Sequence, residues 1–156
     1  MTLDLEKLRA QLDATIVSRS VEAAFQPIVD LRRAEIAGYE TLTRLSDQSD
    51  FRTPSELFDA AEKTGTLWSL EQLTRRVSLA ASAHWKPGAK LFLNTTPQVF
   101  SDPRFCSELL HAVRDVPGLT PGRVVLELTE RSEHQISDGL DEQVRLVKAA
   151  GFEIAI

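Results

Sequence analysis

Gly38-Tyr39-Glu40-Thr41-Leu42-Thr43-Arg44 is the stretch on which the fold turns. Read as a strand over residues 36–44, it places Glu40, Leu42 and Arg44 on one face and Tyr39, Thr41 and Thr43 on the other, because strand side chains alternate. A carboxylate and a guanidinium are costly on an inward face without partners, so such a face ordinarily meets a metal, an anion or water. The competing reading is an exposed Glu40–Arg44 pair at a sheet edge, which contributes little.

Working outward, residues 22–31 and 35–45 read as two strands joined by the turn Arg32-Arg33-Ala34. Pro27 implies that the first of them sits at an edge or opens on one side, since it cannot donate to a ladder. Upstream, Leu5, Leu8, Leu12 and Ile16 recur at helical spacing over residues 3–19 and predict an amphipathic helix that packs on the domain or on a partner. Downstream, Thr53-Pro54-Ser55-Glu56 opens a helix that Gly65 ends. A second helix is predicted over 67–84, with Leu67, Leu70, Leu73, Val77 and Ala81 as its stripe and Lys86-Pro87-Gly88 as its stop. Lys90-Leu91-Phe92-Leu93-Asn94 and Arg123-Val124-Val125-Leu126-Glu127-Leu128 are strands of the buried type. A helix over Phe105–Val113 separates them, another from Ser137 or Asp138 to Ala150 follows, and a strand over 152–156 comes last. Strands alternating with helices from residue 36 onward imply a parallel sheet with helical crossovers.

The 156 residues fit one domain with a sizeable core, and 42% hydrophobic with 26% charged residues is the balance of an ordinary globular protein. A formal net charge of -5 argues against a nucleic-acid surface. No apolar run reaches membrane-span length, and Asp4 and Glu6 do not suit a signal peptide. Cys106 is the single cysteine, so no internal disulfide can form and a cytoplasmic location is expected. Beside Phe105 in a helix, it reads as a small core residue rather than a nucleophile.

Three strands carry a polar residue near their C-terminal ends: Glu40, Asn94 and Glu127. In parallel α/β folds that end of the sheet is where sites are built. Two carboxylates and an amide oxygen are hard donors suited to Mg2+ or Mn2+. Each also has a plainer explanation: Asn94 as a cap for the next turn, Glu127 as a partner of Arg123 or Arg131. His84, His111 and His134 stand singly and offer no rival site, and there is no Gly-rich phosphate loop, nucleophile elbow or cysteine-pair zinc motif.

With those residues in hand, the chain resembles the EAL-domain family of cyclic di-GMP phosphodiesterases. Phe25-Gln26-Pro27-Ile28-Val29-Asp30 is similar to the family's opening strand, and Glu40-Thr41-Leu42 stands where its Glu-Ala-Leu signature belongs. Pro54-Ser55-Glu56-Leu57-Phe58 with Ala61-Glu62-Lys63-Thr64-Gly65 resembles its first helix. Leu91-Phe92-Leu93-Asn94 resembles its asparagine strand, Leu126-Glu127-Leu128-Thr129-Glu130 its Glu-x-x-Glu strand, and Gly151-Phe152-Glu153-Ile154-Ala155-Ile156 the approach to its Asp-Asp-Phe-Gly motif. The resemblance implies Glu40, Asn94 and Glu127 as ligands of Mg2+ or Mn2+, Arg44 as a phosphate contact, Gln26 and Leu42 as substrate-lining residues and Glu130 as a carboxylate that orients its neighbours. Thr41 departs from the signature alanine but faces away from Glu40. Its hydroxyl costs about 1–3 kcal/mol if buried without a partner.

The resemblance also implies a modified TIM barrel, which takes about 250 residues. The expectation is therefore an α/β fold that is a partial, half barrel. Its strands are mostly parallel with the first antiparallel, and it carries an N-terminal helix over 1–20 followed by a truncated EAL domain over 21–156. Without the family's paired aspartates and its later lysine and glutamate, this polypeptide alone is expected to bind metal weakly or not at all and to lack the hydrolysis of cyclic di-GMP to linear pGpG. Its open strand edge predicts a homo-oligomer or a complementary half-domain, unless the chain is simply shortened. The alternative function is a non-catalytic signalling module that binds cyclic di-GMP or a protein.

Overall fold

The computed structural model describes residues 2–47, 49–84, 88–129 and 139–155. Its elements are α1 (Thr2–Ser18), β1 (Val21–Asp30), β2 (Glu35–Leu45), α2 (Pro54–Thr64), α3 (Leu67–Ala81), β3 (Lys90–Thr95), α4 (Pro97–Phe100), α5 (Phe105–Arg114), β4 (Val124–Leu128), α6 (Leu140–Ala149) and β5 (Glu153–Ala155). The five strands form one sheet in the order β1-β2-β3-β4-β5. β1 and β2 are antiparallel arms of a hairpin whose turn is tightened by Asp30 Oδ1, which accepts from the Arg32 and Arg33 amides at 2.9 and 3.3 Å. β2, β3, β4 and β5 run parallel. Pro27 lies on the edge strand, where its missing N–H costs no ladder bond. The α/β class, the antiparallel first strand and the N-terminal helix are as expected from the sequence.

The chain divides into two compact units. The first, Met1–Ala24 with Leu42–Ser78, holds α1, α2 and most of α3. α2 begins as its sequence dictates: Thr53 Oγ1 accepts from the Glu56 amide at 3.2 Å, Glu56 reaches back to the Arg52 amide at 3.0 Å, and Pro54 takes a position whose N–H has no helical partner. Gly65 closes it at φ 69°, the left-handed conformation that a side chain resists. Leu57, Ala60 and Ala61 are buried on α2, and Leu12 is fully buried on α1, the helix that packs beside it.

Two helical faces differ from the hydrophobic stripes. On α1, Leu12 and Thr15 are buried, Leu8 and Ile16 half-buried, and Leu5 is 42% exposed. On α3, Leu67 and Leu70 are buried as expected, but Leu73 and Val77 are half-buried and Ala81 is exposed. The inward face instead runs through Glu71, Arg75 and Ser78. Glu71 and Arg75 pair at 3.5 Å one helical turn apart, and the Arg75 guanidinium lies 5.7 Å from the Trp68 ring centre. Mutual neutralisation lets a face that looks polar go inside.

The second unit, Phe25–Thr41 with Leu79–Ile156, holds the parallel sheet. Leu91, Leu93 and Thr95 of β3 are buried on one face, while Phe92 is half-buried and Asn94 exposed on the other. Val124, Val125 and Leu126 of β4 are buried, as are Phe100 and Phe105, whose ring centres lie 5.0 Å apart. Cys106 is buried in α5, where desolvation pushes its thiol up and leaves it the inert core residue the sequence implied. α4 was not evident from periodicity; Thr96 caps it by accepting from the Val99 amide. Arg123 belongs to a short 3-10 turn, Pro121–Arg123, rather than to the strand. α6 starts at Leu140, and the predicted openers Ser137 and Asp138 lie outside the described residues. Lys90 Nζ meets Glu153 Oε2 at 2.5 Å, an ion pair that passes over β4.

Candidate metal-binding site

The sheet register decides which polar residues meet. Asn94 of β3 is the direct partner of Glu127 of β4, and Glu40 of β2 is paired with Phe92, two residues before Asn94 on the same face. Asn94 Nδ2 donates to Glu40 Oε1 at 3.0 Å and lies 3.4 Å from the Thr41 carbonyl. Glu127 stands above the usual carboxylate range, first because it is partly desolvated and then because of the negative charge of Glu40. Glu40, Asn94 and Glu127 therefore come together on three adjacent parallel strands, Glu40 midway along β2 and the other two near the C-terminal ends of β3 and β4.

Two of the plainer explanations do not account for them. The cap of α4 is Thr96, not Asn94. Arg123 turns away to the Ala89 and Gly118 carbonyls, at 3.1 and 3.3 Å. Arg131 lies outside the described residues, as do Glu130 and His134. Arg44 is exposed on β2, where Nη1 bonds the Thr43 carbonyl at 3.2 Å and forms no ion pair among the described residues. Leu42 is half-buried on the same strand, and Gln26 is exposed on β1. Thr41 is buried on the face opposite Glu40, as alternation required.

The donor chemistry fits a hard divalent cation. Among the described residues no group of three or more His, Cys, Asp and Glu side chains converges. The third donor is the Asn94 amide: its nitrogen is engaged by Glu40, which leaves Oδ1 as the atom it can offer a cation. Two nearby carboxylates, one already resisting ionisation, gain most from a positive charge between them. Thr129 is an addition that hydrophobic pattern could not reveal. Its amide and Oγ1 both donate to the Thr95 carbonyl, at 3.1 and 3.4 Å, and extend the β3–β4 pairing beyond the donors.

Residues 9–156 match the EAL domain, and the chain belongs to the EAL domain family. It is 27% identical over 138 residues to a probable cyclic di-GMP phosphodiesterase of Escherichia coli K12, PdeG, covering 85% of this chain and 27% of that protein. The PaMucR phosphodiesterase, solved as a c-di-GMP complex, superposes with a TM-score of 0.81 at 21% identity, covering 96% of this chain and 62% of the other. Klebsiella pneumoniae BlrP1, solved as a manganese and cyclic di-GMP complex, superposes with a TM-score of 0.69 at 22% identity, covering 88% and 34%. These structures share the EAL fold with this chain. The chain spans between 18% and 36% of the length of the curated relatives it matches.

Proposed function

We propose that these residues form part of a metal-dependent cyclic di-GMP phosphodiesterase, in which Glu40, Asn94 and Glu127 hold Mg2+ or Mn2+. The observation that carries this reading is the hydrogen bond from Asn94 to Glu40 beside the raised Glu127. When bound, such an ion polarises a phosphoryl oxygen and lowers the pKa of its water. Asn94 fixes the Glu40 carboxylate and offers Oδ1, and Glu127 supplies the second charge. The Arg44 fork suits a phosphate, Gln26 and Leu42 line the dinucleotide, and Glu130 orients its neighbours. PdeG, PaMucR and BlrP1 support the substrate class by kinship.

The test is titration of the 156-residue polypeptide with Mn2+ and then with cyclic di-GMP, followed calorimetrically. Glu40→Ala and Glu127→Ala should each abolish Mn2+ binding, and cyclic di-GMP should bind without conversion to pGpG. Equal Mn2+ binding by wild type and both variants would overturn the metal assignment. Cyclic di-GMP binding that ignores chelation and both substitutions would favour a regulatory binding module instead.

A further inference from the structure

We infer that Gly38 is a positioning residue for this site, an inference that rests on the metal-binding reading above. Gly38 forms the first rung of the β2–β3 ladder, opposite Lys90, two residues before Glu40 and on the same face. A Cβ placed there would lie 2.5 Å from the Lys90 carbonyl oxygen, 3.1 Å from the Lys90 carbonyl carbon and 2.8 Å from Cε2 of Phe92. Carbon contacts are not tolerated at such distances. The nearest obstacle is backbone held in the ladder, so a side chain at residue 38 has to push β2 away from β3.

Backbone conformation does not explain the glycine, because Gly38 is absent from the positive-φ residues. What it provides is close approach, the other reason a glycine stands inside a strand. That approach sets the site. The Asn94–Glu40 bond is 3.0 Å, and the Asn94 distance to the Thr41 carbonyl is 3.4 Å, already at the limit of a hydrogen bond. A displacement of a few tenths of an ångström at the rung just below separates these groups. Phe92, the register partner of Glu40, places its ring edge against Gly38.

Gly38→Ala should weaken Mn2+ affinity by about tenfold or more, the effect of losing a group that orients a ligand. In the metal-free protein it should also shift the Asn94 side-chain amide signals toward their unbonded position by NMR. Gly122→Ala is the control: its Cβ would meet only the Gly151 carbonyl, at 3.8 Å, and both readouts should stay at wild type. Phe92→Ala leaves the backbone approach intact and should keep Mn2+ affinity near wild type. Wild-type affinity and Asn94 signals in Gly38→Ala overturn the inference. So does a loss of about tenfold or more in Mn2+ affinity in Phe92→Ala, which would assign the positioning to the ring, and this arm decides the matter if Gly38→Ala does not fold. If wild type binds no Mn2+, the metal reading fails, while the Asn94 signals still report whether Gly38 sets the geometry.

Discussion

A carboxylate pushed up by burial and by a second carboxylate resists ionising in the folded chain but not in the unfolded one. Glu127 is in that position. Its folded pKa is raised, so its contribution to stability is fully present below the ordinary carboxylate range and is lost as pH rises through the raised value. Glu127→Gln removes that loss. Without metal, the variant should melt higher than wild type at pH 7.5, the gap should close toward pH 4, and thermal denaturation across that range checks it. Mn2+ should reverse the order at pH 7.5 by stabilising wild type alone. Glu40, Asn94 and Glu127 were legible because each is a polar side chain of the correct parity in an otherwise strand-like run. Their hydrogen bond was not, since it depends on the register between β2 and β3. Gly38 was visible as a glycine within a strand, but its contact with the Lys90 carbonyl exists only in three dimensions.

At the scale of elements, legibility followed local chemistry. α2 could be bounded because Thr53, Pro54 and Gly65 each have one strongly favoured role at a helix end. Thr53→Ala should therefore cost about 1 kcal/mol in urea denaturation, the typical value of a lost N-cap. The inward face of α3 escaped because hydrophobic periodicity counts Glu71 and Arg75 as solvent-facing, while a pair at 3.5 Å makes them one buried unit. α4 escaped for another reason: four residues are too few to show a helical period. β4 reads as a buried run and is one, with Leu126 fully enclosed. Leu126→Ala should destabilise by about 2–5 kcal/mol, measured by the same denaturation, because the transfer loss is joined by a cavity.

For the whole molecule, the sequential strand order sets β2, β3 and β4 side by side, and it is this order that gathers the three donors. A sheet that skipped a strand would carry the same residues and scatter them. The Lys90–Glu153 bridge adds a tie across that arrangement. It joins the first residue of β3 to the first residue of β5 over the intervening strand. Both ends reach solvent, so salt screens the attraction and the tie between the two flanking strands loosens as ionic strength rises.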